Sequence, residues 1–271
     1  MIRKSWTKVF VVLLLLSFIL VVGCQKKDDK EKTPAPDKSI KPTAKPSKTK
    51  KPRPVVNLTD DQKKTVKKLL DEAKKLEGKN KNFKAIDILE KVILIDPNNL
   101  EAYEIKGRLA RRQGMQNAAI EAYENAIELD PKNANGYYGL GKVYLTIKDY
   151  DSAIESYNKL TQVQPKMSQG FSALGETYFF QGHSNTDRDE RVESYKKSVE
   201  NFEKAVKISP KTSKFYFKLV ESGYMWYYLS KDPKAREISM KYAKEFKKKF
   251  PKDKLMTNIK RKIAQIEAVR K

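Results

Sequence analysis

Residues 134–167 read ANGYYGLGKVYLTIKDYDSAIESYNKLTQVQPKM, and this stretch decides the fold because its features recur on both sides of it. Small residues, large aromatic residues, alanines and prolines each return at a step of 34 residues. These four sets are Gly107, Gly141 and Gly175; Tyr103, Tyr137 and Phe171; Ala85, Ala119 and Ala153; and Pro97, Pro131 and Pro165. A constant step of about 20–50 residues is typical of arrays in which one supersecondary unit is stacked repeatedly.

The recurring residues resemble those of a family of helical repeats, which implies that each unit is two antiparallel helices separated by a turn. Gly141 in the first helix and Ala153 in the second are small, so they let the two backbones approach each other. Large residues such as Tyr137 and Tyr157 fill the space between units, and a proline ends the second helix. One unit cannot bury its apolar face alone, so the units must stack, and a bulky residue at Gly141 should overpack the contact.

The recurring residues resemble those of the tetratricopeptide repeat (TPR) family, and the likeness is close over residues 66–210. The resemblance implies an all-α fold, a right-handed TPR solenoid of about five helix-turn-helix repeats with a C-terminal capping helix. This TPR domain would occupy residues 57–271, and Thr59 and Gln62 have the spacing of a capping box at its first helix. The predicted repeats and the cap lie near 62–99, 100–133, 134–167, 168–212, 213–251 and 252–271.

Two departures from the period fall in the last two repeats. The fourth repeat carries an insertion, 183–193, which we expect to be a flexible surface loop or a partner contact. Its alternating oxygen-bearing residues are similar to a calcium loop, but Glu190 stands where such a loop needs glycine, so we expect no metal site. The fifth repeat is degenerate, because Val220 stands where the others have glycine, and its register stays open.

The final segment, 252–271, has apolar residues at helical spacing, namely Leu255, Ile259, Ile263, Ile266 and Val269. Repeat arrays need a terminal unit with a polar outer face, which favours a capping helix here. A helix that lies on a membrane surface is the alternative.

The N-terminus has the features of an export signal. Basic residues precede the apolar run 9–22, which as a helix would span about 21 Å and is too short for a hydrocarbon core of ~30 Å. Residues 21–24, VVGC, resemble the lipobox of bacterial lipoproteins. The resemblance implies that 1–23 is a lipoprotein signal peptide and that Cys24 becomes the acylated first residue. The alternative is a signal anchor with an incidental cysteine.

Acylation of Cys24 would place the rest of the chain outside the cytoplasm, as a lipid-anchored protein of the cell envelope. Residues 24–56 would then be a disordered tether, because they are rich in lysine and proline and too poor in apolar residues to form a core. In a host with two membranes, Gln25 after the cysteine implies the outer membrane, facing the periplasm.

Charge and rare residues restrict the function. The formal net charge is +23, but residues 1–56 and 231–271 carry about +10 each, so the body between them is nearly neutral. A neutral body in an exported protein makes nucleic acid an unfavoured partner. The chain has one Cys and one His, His183, which disfavours zinc sites and most nucleophilic dyads. We therefore expect no enzyme and no cofactor.

The resemblance also implies where a partner would bind, because the first helices of TPR units line a concave groove. Positions carried over from the family predict a groove with a basic half and an aromatic half. The candidate partner-binding residues are Arg108, Arg111, Arg112, Lys142, Leu145, Tyr138, Phe179, Phe180, Phe217 and Tyr224. Arginine and aromatic residues dominate interface energetics. The alternatives are that Phe179, Phe180 and Tyr224 are core residues and that the arginines are merely solvated.

These observations support one leading hypothesis and one alternative. The leading hypothesis is a membrane-anchored protein–protein interaction scaffold of the bacterial cell envelope, whose groove holds a segment of an envelope protein. A segment with an acidic end and an apolar end would fit the predicted groove. The alternative is a binding protein for a small apolar ligand, because pockets for such ligands are concave and mostly apolar.

The lipoprotein hypothesis predicts the covalent state of the N-terminus. Mass spectrometry of the protein from its native membrane should find a chain that begins at Cys24 and carries acyl chains. A chain that still begins at Met1 would contradict the hypothesis.

Overall fold

The computed structural model describes residues 56–269, and every regular element in this range is an α-helix. The predicted signal peptide, Cys24 and almost all of the tether lie outside the described residues. The helices are α1 (Asp60–Gly78), α2 (Asn82–Ile95), α3 (Leu100–Arg112), α4 (Gln116–Leu129), α5 (Ala134–Thr146), α6 (Tyr150–Val163), α7 (Ser168–Ser184), α8 (Arg188–Ile208), α9 (Ser213–Ser230), α10 (Pro233–Lys249) and α11 (Met256–Ala268). None of the described helices is long and apolar enough to cross a membrane.

The helices pack as five consecutive hairpins followed by a single terminal helix. Helices α1 and α2 pair with each other, as do α3 with α4, α5 with α6, α7 with α8, and α9 with α10. The second helix of each hairpin also packs against the first helix of the next, and α11 packs against α9 and α10. The predicted all-α solenoid of about five repeats with a terminal helix is therefore confirmed.

Polar side chains cap the first helix of each of the first three hairpins. At Thr59 both bonds of the predicted capping box form, because its hydroxyl accepts from the Gln62 N–H at 3.2 Å and its own N–H donates to the Gln62 side chain at 2.9 Å. Asn99 and Asn133, which follow the repeated prolines, accept from the N–H groups of Ala102 and Gly136. These caps satisfy N–H groups that have no partner inside a helix.

The recurring glycines lie directly against aromatic rings of the paired helix. A Cβ atom added to Gly107 would lie 2.9 Å from the ring of Tyr123, and one added to Gly141 would lie 2.6 Å from the ring of Tyr157. Gly175 faces Phe202 at 2.9 Å in the same way. Since ordinary carbon contacts are about 3.5–4.0 Å long, only glycine leaves room for these rings.

The fourth repeat differs from the expectation of a surface loop at 183–193. Helix α7 is four residues longer than α5 and α8 is seven longer than α6, which together absorb the extra residues. The lengthened hairpin adds a second glycine–aromatic contact, between Gly182 and Tyr195, two turns beyond the first. The loop prediction was wrong because a second small–large pair lets both helices continue.

The register of the fifth repeat is set by Gly223 rather than by Val220. A Cβ atom on Gly223 would lie 2.3 Å from the hydroxyl oxygen of Ser239, which stands 16 residues later. The contact between Gly141 and Tyr157 has the same spacing. The fifth hairpin therefore keeps the close helix approach but replaces the aromatic ring with a serine, which hid the pattern in the sequence.

The terminal helix α11 covers the end of the array. Its Ile259 and Ile266 side chains are fully buried against α9 and α10. The Tyr227 hydroxyl in α9 donates to the backbone oxygen of Val269 at 3.0 Å, just beyond the end of α11. Apolar burial and this hydrogen bond hold α11 on the solenoid.

Replacement of Gly141 by alanine should test the helix-to-helix contact. The added methyl group would overlap the Tyr157 ring, so we expect the free energy of unfolding to fall by about 1–3 kcal/mol. Gly78→Ala is the matched control, because nothing lies within 4 Å of its added Cβ and alanine is the better helix former. Denaturation curves in which both variants match the wild type would contradict this packing.

Candidate partner-binding groove

The first helices of the hairpins follow one another along the array, and we call their outer surface the groove face. It consists of the exposed and half-buried side chains on α1, α3, α5, α7 and α9. Helix α3 contacts α5 directly, and α7 contacts α9. All ten sequence-predicted partner-binding residues belong to these helices, so the structure brings their segments side by side.

The basic half of the groove face is partly neutralised by Glu77 of α1. Arg108 in α3 donates from Nε to Glu77 Oε1 at 3.0 Å and from Nη2 to Oε2 at 2.8 Å. Arg112 donates from Nη1 to Glu77 Oε1 at 2.8 Å. The Arg108 hydrogen bonds are the main reason that the pKa of Glu77 lies below its ordinary value. Two of the predicted partner-binding arginines therefore join the first two repeats.

Arg111 and Lys142 lie outside the Glu77 pairing. Arg111 is half-buried: its Nε atom has no hydrogen-bond partner among the described residues, but its guanidinium is hydrogen-bonded to the Tyr123 hydroxyl. The Lys142 ammonium lies 5.6 Å from the ring centre of Tyr138, one helical turn earlier in α5. Of the candidate basic residues, these two are the ones that Glu77 does not pair.

Tyr138 and Tyr157 connect the groove face to the core beneath it. Their ring centres are 6.1 Å apart, and Tyr157 is completely buried whereas Tyr138 is half-buried. Burial raises the pKa of the Tyr157 hydroxyl, so the hydroxyl stays neutral. Leu145 is also half-buried and packs against the core. Both Tyr138 and Leu145 offer a partner only part of their surface.

Phe179 is a core residue, which corrects its place among the candidates. It is only 9% exposed, and its ring packs 5.7 Å from the ring of Tyr195 and 4.4 Å from that of His183. Phe180, the next residue, is 44% exposed on the groove face. The fourth repeat therefore presents one of its two adjacent phenylalanines to a partner and buries the other in its long hairpin.

In the fifth repeat the aromatic side chains are mixed with charges that the sequence analysis missed. Phe217 and Tyr224 are half-buried on α9, as predicted for the groove. Lys218 and Glu221 lie between them and form an ion pair of 2.9 Å. The ammonium of Lys262 in α11 lies 4.4 Å from the ring centre of Tyr224. The i, i+3 spacing could have revealed the ion pair, but nothing local points to Lys262.

His183 and the insertion 183–193 were considered for catalysis and metal binding, and their side chains make structural contacts. His183 Nδ1 lies 2.9 Å from the Phe179 carbonyl oxygen and 3.0 Å from the Tyr195 hydroxyl. Asp187 caps α8 by accepting from the N–H groups of Asp189 and Glu190, each at 2.9 Å. Over residues 56–269, no group of three or more His, Cys, Asp or Glu side chains could hold a metal ion.

A cavity of about 620 Å³ lies between α8, α9 and α10, away from Phe180 and Tyr138. Its lining combines charged side chains, among them Glu203, Lys204 and Lys249, with apolar surface such as the Tyr216 ring.

Replacement of Glu77 by glutamine should weaken the contact between the first two repeats. We expect the free energy of unfolding to fall by about 0.5–1 kcal/mol at pH 7, because both arginines are partly exposed. The pKa of Glu77 is lowered by folding, so its contribution is present above 4.5, the ordinary value, and is lost as the pH falls through the folded pKa.

Urea unfolding of both proteins between pH 7 and pH 3 would measure this difference. Glu72→Gln, at an exposed position of the same helix, is the control and should leave the stability unchanged. A difference for Glu77→Gln that does not shrink on acidification would rule out the ion pair as its source.

Comparison with known proteins agrees with this architecture. Family profiles match twice, one described as a TPR repeat at residues 107–148 and one as a tetratricopeptide repeat at residues 134–167. None of the curated protein sequences matches significantly.

Solved structures share the fold. A crystal structure of MamA has 26% sequence identity and a TM-score of 0.55, with 66% of this chain and 95% of that chain covered. MamA from Desulfovibrio magneticus RS-1 has 19% identity and a TM-score of 0.55, covering 76% and 98%. YrrB, described as a TPR protein with an unusual peptide-binding site, has 15% identity and a TM-score of 0.55, covering 74% and 98%. The chain therefore contains tetratricopeptide repeats, and its described part folds as a TPR solenoid.

Proposed function

We propose that this protein is a membrane-anchored interaction scaffold of the bacterial cell envelope that holds a segment of a partner protein on its groove face. The observation that carries the proposal is the exposure of aromatic rings on neighbouring first helices. Phe180 in α7 is 44% exposed and Tyr228 in α9 is 51% exposed. Aromatic side chains exposed to solvent on one surface are typical anchor points for a protein partner.

The charges of the groove face support a partner that is acidic in part. Arg111 in the second repeat and Lys142 in the third lie outside the Glu77 pairing, and both precede the aromatic fourth repeat. YrrB, which has a similar fold, is described as having a peptide-binding site. A partner segment with acidic residues followed by apolar ones would match the order of these side chains.

The envelope location and the lipid anchor rest on the sequence. The apolar run 9–22, the VVGC motif at residues 21–24 and the lysine- and proline-rich stretch that follows support a lipoprotein with a tether. Acyl chains on Cys24 would keep the solenoid at a membrane surface, where it could hold envelope proteins in place without chemistry of its own.

Site-specific crosslinking in cells would test the proposal. A photoreactive phenylalanine analogue at Phe180 should give a covalent adduct of defined mass with one envelope protein. The same analogue at Leu94 is the matched control, because Leu94 is 82% exposed but belongs to the second helix of a hairpin.

Charge reversal at Arg111 should reduce the adduct from position 180 if both residues contact the same segment. Equal adducts from positions 180 and 94, or an adduct that Arg111→Glu does not change, would contradict a groove-bound partner.

A further inference from the structure

The far end of the groove face contains a cluster of charges around one aromatic ring, which we call the α9–α11 site. It consists of Lys218, Glu221 and Tyr224 from α9 and Lys262 from α11. The Lys218 ammonium lies 2.9 Å from the Glu221 carboxylate. The Lys262 ammonium lies 4.4 Å from the Tyr224 ring centre. The terminal helix thus contributes a side chain to the row of first helices.

The positive charges of this site exceed its negative charge. Glu221 is the one carboxylate that acts on Lys262, and it is already paired with Lys218. Lys262 has no ion-pair partner within residues 56–269, although its side chain is half-buried. Burial is the main reason that the pKa of Lys262 lies below its ordinary value, and the charges of Arg261 and Lys218 act in the same direction. The cluster therefore carries about one unit of uncompensated positive charge.

Apolar and aromatic surface surrounds the same charges. The Lys218 ammonium lies 5.3 Å from the ring centre of Phe179 and 5.9 Å from that of Phe217. Tyr228, which is half exposed, has its ring centre 6.0 Å from that of Tyr224. An ammonium group at such a surface binds an anion more strongly than one in open solvent, because less water competes for it.

We infer that the α9–α11 site binds one carboxylate of the partner segment, next to an aromatic or apolar side chain of that segment. The inference rests on the proposed function and names the chemistry that the groove recognises at this end. A carboxylate is a single negative charge and matches the net charge of the cluster. A phosphate dianion would leave one charge unpaired beside Glu221, so the site favours the carboxylate.

A small probe can test this site without the natural partner. N-acetylphenylalanine carries a carboxylate beside an aromatic ring, and N-acetylphenylalaninamide is its neutral analogue. Saturation-transfer NMR with the full chain in uncharged detergent should show roughly millimolar binding of the acid, as is usual for a ligand of this size. The amide should bind about tenfold more weakly, because it loses the charge-assisted contact to Lys262.

Lys262→Met is the decisive variant, because methionine keeps apolar contact with Tyr224 and removes the charge. It should weaken binding of the acid about tenfold and leave binding of the amide unchanged. Lys260→Met, at an exposed position of the same helix, is the matched control and should bind both probes like the wild type. Circular dichroism should show the same helix content in all three proteins.

Equal affinity for the acid and the amide, or a Lys262→Met variant that binds the acid like the wild type, would overturn the inference. Its failure is distinguishable from failure of the proposed function. If position 180 crosslinks a partner but the acid does not bind, only the carboxylate site is wrong. If the acid binds at Lys262 but no partner is crosslinked, the site stands and the scaffold proposal fails.

Discussion

The contact between a glycine of the first helix and an aromatic ring of the second is the interaction on which the solenoid depends. At Gly141 the ring of Tyr157 occupies the space where any other residue would place its Cβ atom. The ring is thereby buried between helices and fills the interface that a single hairpin leaves open. Gly107 with Tyr123 and Gly175 with Phe202 make the same contact in the second and fourth hairpins, and Gly223 lies against Ser239 in the fifth, so the paired helices approach closely in each of these hairpins.

This packing also determines which side chains are exposed on the groove face. Rings that point inward from the second helices, such as Tyr157, leave the first helices free to carry charged and aromatic side chains outward. Some of these charged side chains form ion pairs between repeats, as Glu77 does with Arg108 and Glu176 with Lys214. The side chains left without such partners, Lys262 among them, are the ones that a binding segment would meet.

The helical repeats were predictable because each depends on residues close in sequence. Glycines and prolines that recur every 34 residues predicted the helical hairpins, and the structure confirms these hairpins. The prediction was less accurate where a repeat substitutes one small–large pair for another. Gly182 with Tyr195 extends the fourth hairpin, and Gly223 with Ser239 aligns the fifth, but neither pair fits the period. Phe179 and Phe180 are adjacent aromatic residues, and only helix packing decides which of them is buried.

The sequence by itself determined the class of fold, the order of the hairpins and the candidate face, since periodic apolar and small residues encode helix pairing locally. Only the tertiary structure decided which charges on that face are already paired. Ion pairs between Glu77 and Arg108, and contacts such as that of Lys262 with Tyr224, join residues about 31 and 38 positions apart. Their distances depend on how the helices stack, and stacking is a property of the whole array rather than of any one segment.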